Sequence, residues 1–159
     1  MTDVRVKVAD YAVRNSGSVL STIGLGSCVA IALYDPATGI GGLAHVLLPN
    51  EGMSRDTSNR AKFSTTAVPL LIEEMRRIGA KGNLVAKIAG GASMFAALIP
   101  VNGVNMGERN VVATREALRR HCIPIAAEDT GGDHGRSVYF HLRDGTVLIR
   151  SLKAGDLRL

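Results

Sequence analysis

Aromatic residues are scarce in this sequence of 159 residues, at 4% of the total. So few aromatic side chains argue against the stacking platforms with which proteins bind single-stranded nucleic acids. The chain carries a formal net charge of +5, but its basic residues are scattered, which favours an acidic partner surface over a nucleic-acid groove. We therefore expect no nucleic-acid partner.

Cysteines and long apolar runs are also few. Residues 1–8 alternate polar and apolar side chains without a hydrophobic core, so we expect neither a signal peptide nor a membrane insertion, and a cytoplasmic location. Two cysteines in a reducing compartment are not expected to form a structural disulfide. The cysteines and histidines also lack the spacing of metal ligands, so we expect no metal and no cofactor.

The length and the apolar patterns predict one mixed α/β (α+β) domain over residues 1–159 with a mainly antiparallel sheet. Glycine pairs and polar turns divide the chain into short apolar runs, and residues 90–95 read as a turn followed by a short helix or loop. The predicted strands span 4–8, 29–34, 40–48, 84–89, 123–127, 137–142 and 146–152, and the predicted helices span 62–78 and 111–121.

The most informative segment runs from Ser21 to Pro49. An apolar run over 29–34 and a second over 40–48 flank the turn residues of 35–39, which is the pattern of a β-hairpin. One of the two cysteines and one of the four histidines lie in this segment.

The hairpin brings these two side chains together if its turn is centred between Pro36 and Ala37. Cys28 then lies directly opposite His45, with Cβ atoms roughly 4.5 to 5.5 Å apart. A thiol and an imidazole at that separation can share a proton. A bulge at Gly41–Gly42 would instead move one of them to the opposite face.

Cys28 follows the sequence Gly-Leu-Gly-Ser, which suggests a nucleophile. Flexible glycines allow a carbonyl group to approach the backbone, and the amides near Gly26 and Ser27 can stabilise an oxyanion there. The alternative is a small buried thiol at the start of an apolar strand.

His45 lies in an apolar strand, where a histidine is often a buried structural residue. Beside Cys28 it would act as a base that activates the thiol. Thr22 could orient the imidazole by accepting a hydrogen bond from its second nitrogen. The sequence alone does not distinguish Thr22 from Ser21, Ser27 or Thr38.

Three other segments are assigned more modest roles. Cys122 lacks a glycine-rich approach, so we expect it to be a packing residue. The polar stretch 50–60 leaves the strand of His45 and either controls access to it or is an ordinary loop. Residues 129–136 are expected to form a structured turn that lines a pocket.

The sequence closely resembles the CheD family of bacterial chemoreceptor glutamine deamidases. The most specific signal is Gly-Leu-Gly-Ser-Cys, ending at Cys28, followed by Gly-Gly-Leu-Ala-His, ending at His45. The resemblance covers residues 9–11, 22–29, 33–36, 41–45, 48–49, 86–88, 90–92, 107, 109–110, 129, 131–132 and 135–136.

The resemblance implies a cysteine hydrolase that converts receptor glutamines to glutamate and releases ammonia. Cys28 would be the nucleophile, His45 the base and Thr22 the orienting residue, in a layered fold similar to the catalytic domain of the cytotoxic necrotizing factor toxins. It further implies two partners, the cytoplasmic helices of chemoreceptors and a CheC-type phosphatase. Two alternatives stay open. One is a regulatory protein that docks on that phosphatase and on receptors. The other is an enzyme with the same nucleophile that acts on receptor methyl esters or catalyses transamidation.

Overall fold

Two five-stranded sheets and two α-helices account for most of the described chain. The computed structural model describes residues 2–93 and 105–159. The strands are β1 (Asp3–Arg5), β2 (Tyr11–Arg14), β3 (Val19–Leu25), β4 (Val29–Tyr34), β5 (Gly41–Val46), β6 (Val85–Gly90), β7 (Ile125–Thr130), β8 (Arg136–His141), β9 (Thr146–Ser151) and β10 (Gly155–Arg158). The helices are α1 (Ser64–Arg77) and α2 (Met106–Arg120).

The first sheet has the strand order β1-β3-β8-β9-β10, and the second has the order β2-β5-β4-β6-β7. Each contains one parallel pair, β1 with β3 and β6 with β7. The other neighbours are antiparallel. This arrangement confirms the predicted mixed, mainly antiparallel α/β fold.

The alternation of side chains along β4 explains the layering. Val29, Ile31 and Leu33 pack in a core shared with both helices. Ala30 and Ala32 point the other way, into a core shared with the first sheet. The second sheet is therefore buried on both faces, between a helical layer and the first sheet.

Helix α1 confirms the predicted helix and its stop at Gly79. It begins at Ser64, five residues before Pro69, so the proline lies beyond the first turn and inside the helix. Gly79 follows the C-cap with φ +116°, a left-handed conformation that glycine adopts without steric cost. Its buried residues are Ser64, Ala67, Val68, Leu71 and Met75.

Helix α2 begins five residues earlier than predicted. The structure at its C-terminal end shows that the prediction of Cys122 as a packing residue is wrong. The thiol is exposed rather than packed in the core. Cys122 has φ +58°, and its N–H donates to the carbonyl of Arg119 while Ile123 N–H donates to Leu118. These two bonds form a Schellman motif, in which Cys122 occupies the position that glycine usually takes.

Three strands are missing from the sequence prediction: β3, the seven-residue strand that carries Thr22, and two shorter strands. Residues 11–14 form β2, which pairs with β5 at an edge of the second sheet, and residues 155–158 form β10. Residues 94 and 95, part of the predicted turn and short helix, lie outside the described residues. No helix in the described ranges is long and apolar enough to cross a membrane.

Candidate active site

The β4–β5 hairpin forms as predicted, but each residue of β4 pairs with a residue of β5 two positions later than predicted. His45 lies opposite Ala30, and Val29 lies opposite Val46. The prediction that Cys28 directly opposes His45 is therefore wrong. Cys28 lies two residues before Ala30, so it is a diagonal rather than a direct neighbour of His45.

The turn explains this difference. The hairpin closes where Asp35 N–H donates to the carbonyl of Ile40 at 2.9 Å, which moves the centre of the turn one residue along the chain. Burial would raise the pKa of Asp35, but hydrogen bonds from Thr38 and from the amides of Lys81, Gly82 and Ala37 outweigh it and lower the pKa to about 2. Asp35 thus holds the turn as a charged, fully hydrogen-bonded carboxylate.

Cys28 and His45 nevertheless share a face of the second sheet. A one-residue move of the turn centre shifts the pairing by two positions, and side chains alternate with period two. No bulge occurs, because pairing is continuous from Val29 to Tyr34. Gly41 instead permits close packing, since a Cβ there would lie 2.4 Å from a methyl group of Leu142.

His45 is held between the two sheets by Thr22. The residue is 0% exposed, as is Thr22 on β3, and Thr22 Oγ1 lies 2.6 Å from His45 Nδ1. The same hydroxyl donates its only proton to the carbonyl of Val6 at 2.7 Å. Thr22 must therefore accept from Nδ1–H, which leaves Nε2 unprotonated.

The two ring nitrogens of His45 differ in their surroundings. Nε2 is buried and has no hydrogen-bond partner within residues 2–93 and 105–159. Burial lowers the pKa of His45 to about 4, so the imidazole is neutral at physiological pH. A buried nitrogen with an unused lone pair, on the face that also carries Cys28, can accept a proton from a thiol.

Cys28 is 9% exposed and lies in the short connection, residues 26–28, that carries the chain from the first sheet to the second. Burial raises the pKa of its thiol, and its own backbone N–H opposes this to a smaller extent. The resting side chain is therefore a neutral thiol and not a thiolate. It lies on the same face as the neutral imidazole of His45, without a hydrogen bond to it among the described residues.

Hydrogen bonds fix the backbone around Cys28 on both sides. The carbonyl of Gly26 accepts from Ala92 N–H at 2.9 Å, and that of Cys28 accepts from Gly91 N–H at 2.8 Å. Gly90 has φ +109°, and a Cβ there would lie 2.3 Å from the carbonyl oxygen of Cys28. Only glycine allows β6 to approach the connection so closely.

Sequence reasoning missed one buried residue beside these groups. Asn110 of α2 is 0% exposed, and its Nδ2 donates to the carbonyls of Ser27 at 2.9 Å and Leu47 at 3.1 Å. The sequence pattern could have identified Asn110, because it lies among apolar residues on the inner face of an amphipathic helix. A polar residue in such a position usually has a buried partner.

The two other segments singled out in the sequence make no hydrogen bond to the side chains of Thr22, Cys28 and His45 among the described residues. Residues 133–136 line a groove of about 680 Å³ together with Ile23 and residues of β9, but the groove includes none of Thr22, Cys28 and His45. The 50–60 stretch contains a 3-10 turn at Glu51–Met53, and Asn59 Nδ2 donates to the carbonyl of Ala9. Ala9 N–H in turn donates to the carbonyl of His45.

Comparison with protein families gives a match to the CheD model, described as CheD chemotactic sensory transduction, over residues 47–151. Full-length relatives cover the part that carries Thr22, Cys28 and His45. A protein from Caldanaerobacter subterraneus subsp. tengcongensis is 48% identical over 153 residues, which is 96% of this chain and 94% of the relative. The chain belongs to the CheD family. That relative is named a probable chemoreceptor glutamine deamidase CheD.

Other CheD relatives span the chain to a similar extent. A protein from Geobacter metallireducens, named probable chemoreceptor glutamine deamidase CheD 2, is 49% identical over 94% of each chain. One from Thermotoga maritima, named chemoreceptor glutamine deamidase CheD, is 43% identical over 95% of this chain and 93% of its own. The family expected from the sequence is thus confirmed.

Proposed function

We propose that this CheD-family chain is a protein-glutamine deamidase that acts on methyl-accepting chemoreceptors. The observation that carries the proposal is His45, which is buried, has its Nδ1–H bound to Thr22 and, among the described residues, has no partner for Nε2, on the face that carries Cys28. The names of the relatives support the same reaction. Residues 1–159 are proposed to form one catalytic domain.

In the first half-reaction, Cys28 Sγ attacks the carbon of a glutamine side-chain amide. The thiol proton passes to His45 Nε2 as the S–C bond forms, and the carbonyl oxygen becomes an oxyanion. Backbone amides beside Gly26 and Ser27 stabilise this charge. His45 then gives its proton to the nitrogen, the C–N bond breaks, and ammonia leaves a thioester on Cys28.

In the second half-reaction, water attacks the thioester carbon and His45 Nε2 accepts its proton. The C–S bond breaks, glutamate is released, and the proton returns to the Cys28 sulfur. Thr22 keeps the imidazole in the tautomer that both steps require, because its acceptor oxygen binds Nδ1–H throughout.

The pKa directions determine when the proton moves. Burial lowers the pKa of His45 and raises that of Cys28, so both changes favour the neutral pair over an ion pair. The proton transfer therefore accompanies attack on the amide. Such an enzyme keeps its resting thiol a weaker nucleophile than a thiolate.

The proposed substrate surface is the cytoplasmic helices of chemoreceptors, which present exposed glutamines. The net charge of +5 is compatible with an acidic helical surface. A CheC-type phosphatase is the second proposed partner. A regulatory role through that partner would coexist with catalysis, since it requires a docking surface rather than the Cys28 thiol.

Mass spectrometry of a receptor cytoplasmic fragment tests the proposal. The fragment is incubated with wild type, Cys28→Ala or Cys122→Ala, and the ammonia released is measured in parallel. Each deamidation adds about 1 Da to the fragment. Cys122 is the matched control, since it is the other cysteine of the chain and is exposed at the end of α2.

We expect deamidation with wild type and Cys122→Ala and none with Cys28→Ala. Deamidation that persists with Cys28→Ala would rule out the proposed nucleophile. If no protein deamidates the fragment, but the fragment or a CheC-type phosphatase still binds, the regulatory role becomes the better account.

A further inference from the structure

The side chain of Asn110 connects the two backbone segments that carry Cys28 and His45. Its Nδ2 donates to the carbonyl of Ser27, the residue before Cys28, and to the carbonyl of Leu47, two residues after His45. We infer that Asn110 is a positioning residue, which orients the backbone N–H of Cys28 towards the reacting carbonyl oxygen. This inference rests on the proposed function and extends it.

The orientation follows from the geometry of the peptide group. In a planar trans peptide the C=O of one residue and the N–H of the next point in opposite directions. Since Asn110 holds the carbonyl of Ser27, the N–H of Cys28 points away from α2. The Gly26 carbonyl is held in the same way by Ala92 N–H, which fixes the direction of the Ser27 N–H.

Two consecutive amides are therefore oriented and available. Over the described ranges, no backbone carbonyl accepts a hydrogen bond from Ser27 N–H or Cys28 N–H. Two fixed donors beside an attacking sulfur form an oxyanion hole that needs no rearrangement during the reaction.

The buried state of Asn110 favours a positioning role over simple packing. Its Oδ1 is buried and has no partner among the described residues. An unpaired buried acceptor costs free energy, and an apolar side chain at this position would not have that cost. Nδ2 uses both of its protons on backbone carbonyls at the site. The neighbouring buried hydroxyls, Thr114 and Ser64, bind each other at 3.0 Å and supply a control within the same cluster.

The test compares reactions that do and do not develop an oxyanion. Asn110→Ala and Thr114→Val are made in a Cys122→Ala background, so that Cys28 is the only thiol. Iodoacetamide alkylates Cys28 with loss of iodide and forms no oxyanion. Acylation by p-nitrophenyl acetate does form one, as the S–C bond forms, the ester C–O bond breaks and His45 Nε2 takes the thiol proton. Deamidation of the receptor fragment is the third readout.

For Asn110→Ala we expect acylation and the kcat of deamidation to fall about 100-fold. Alkylation and the KM for the fragment should change less than about threefold. Thr114→Val should match wild type in all three reactions. If Asn110→Ala does not fold, Asn110→Gln, which keeps an uncharged amide one methylene farther out, is expected to show the same selective loss.

Equal losses in alkylation and acylation would overturn the inference, because Asn110 would then only shape the surroundings of the thiol. Unchanged acylation would overturn it as well. Wild-type acylation without deamidation of the fragment would count against the proposed function alone. The comparison of alkylation with acylation would still decide the role of Asn110.

Discussion

Acid should destabilise the folded protein through His45. The side chain is 0% exposed, and burial lowers its pKa from 6.5 to about 4. Between these values the unfolded state binds a proton more readily than the folded state, so the free energy of unfolding decreases as the pH falls. The stability is complete above pH 6.5. The loss reaches about 2 kcal/mol at pH 5 and about 3 kcal/mol at pH 4, and it levels off below that.

The measurement is urea unfolding, followed by far-UV circular dichroism, for wild type and His45→Asn at pH 7.5 and pH 5. Asparagine at position 45 still offers an N–H to Thr22 but does not titrate. Surface carboxylates titrate in both proteins, so they cancel in the comparison. Asp35, with a pKa of about 2, stays charged over this range.

We expect wild type to lose about 2 kcal/mol more than His45→Asn between the two pH values, with equal m-values. Equal losses would refute the reasoning. They would mean that folding does not suppress protonation of His45, as for an imidazolium paired with a thiolate, and the proposed neutral pair would be wrong.

Three further predictions concern the thiols and the orienting hydroxyl. Because burial raises the pKa of Cys28 above its ordinary 9.0, the rate of its alkylation by iodoacetamide in a Cys122→Ala background should still be rising at about pH 9; a plateau near neutral pH would indicate a resting thiolate. Thr22→Val should lower the kcat of deamidation about 10- to 100-fold by removing the acceptor for His45 Nδ1–H, while Ser21→Ala should not; equal effects would contradict the assignment of Thr22. Cys122→Gly should raise the free energy of unfolding in urea by up to about 1 kcal/mol, because it relieves a left-handed residue; a decrease would show that the thiol contributes packing.

The hairpin was predictable from sequence because its signals are local. Two apolar runs around a proline and glycine turn fall within twenty residues, and the structure has strands at both. The register was not predictable, because amides of Lys81 and Gly82 help to hold the Asp35 carboxylate. Those residues are more than forty positions away in the chain, so no local turn rule includes them.

The site was predictable only in part, for a related reason. Period-two alternation is enough to expect Cys28 and His45 on one face, even with the register wrong. Placing Thr22 against His45 requires knowing that the first sheet stacks on the second, which no pattern within one strand specifies. Asn110 was visible as a polar residue on an apolar helix face, but its two acceptors lie in other elements.

The central claim is that a receptor glutamine passes through a thioester on Cys28, and trapping with hydroxylamine tests it most directly. Hydroxylamine competes with water for the thioester, so glutamines of the fragment become glutamyl hydroxamates, identified by mass spectrometry of the digested fragment. The account predicts hydroxamates with wild type and none with Cys28→Ala. Deamidation by wild type that yields no hydroxamate at any hydroxylamine concentration, together with residual deamidation by Cys28→Ala, would contradict it.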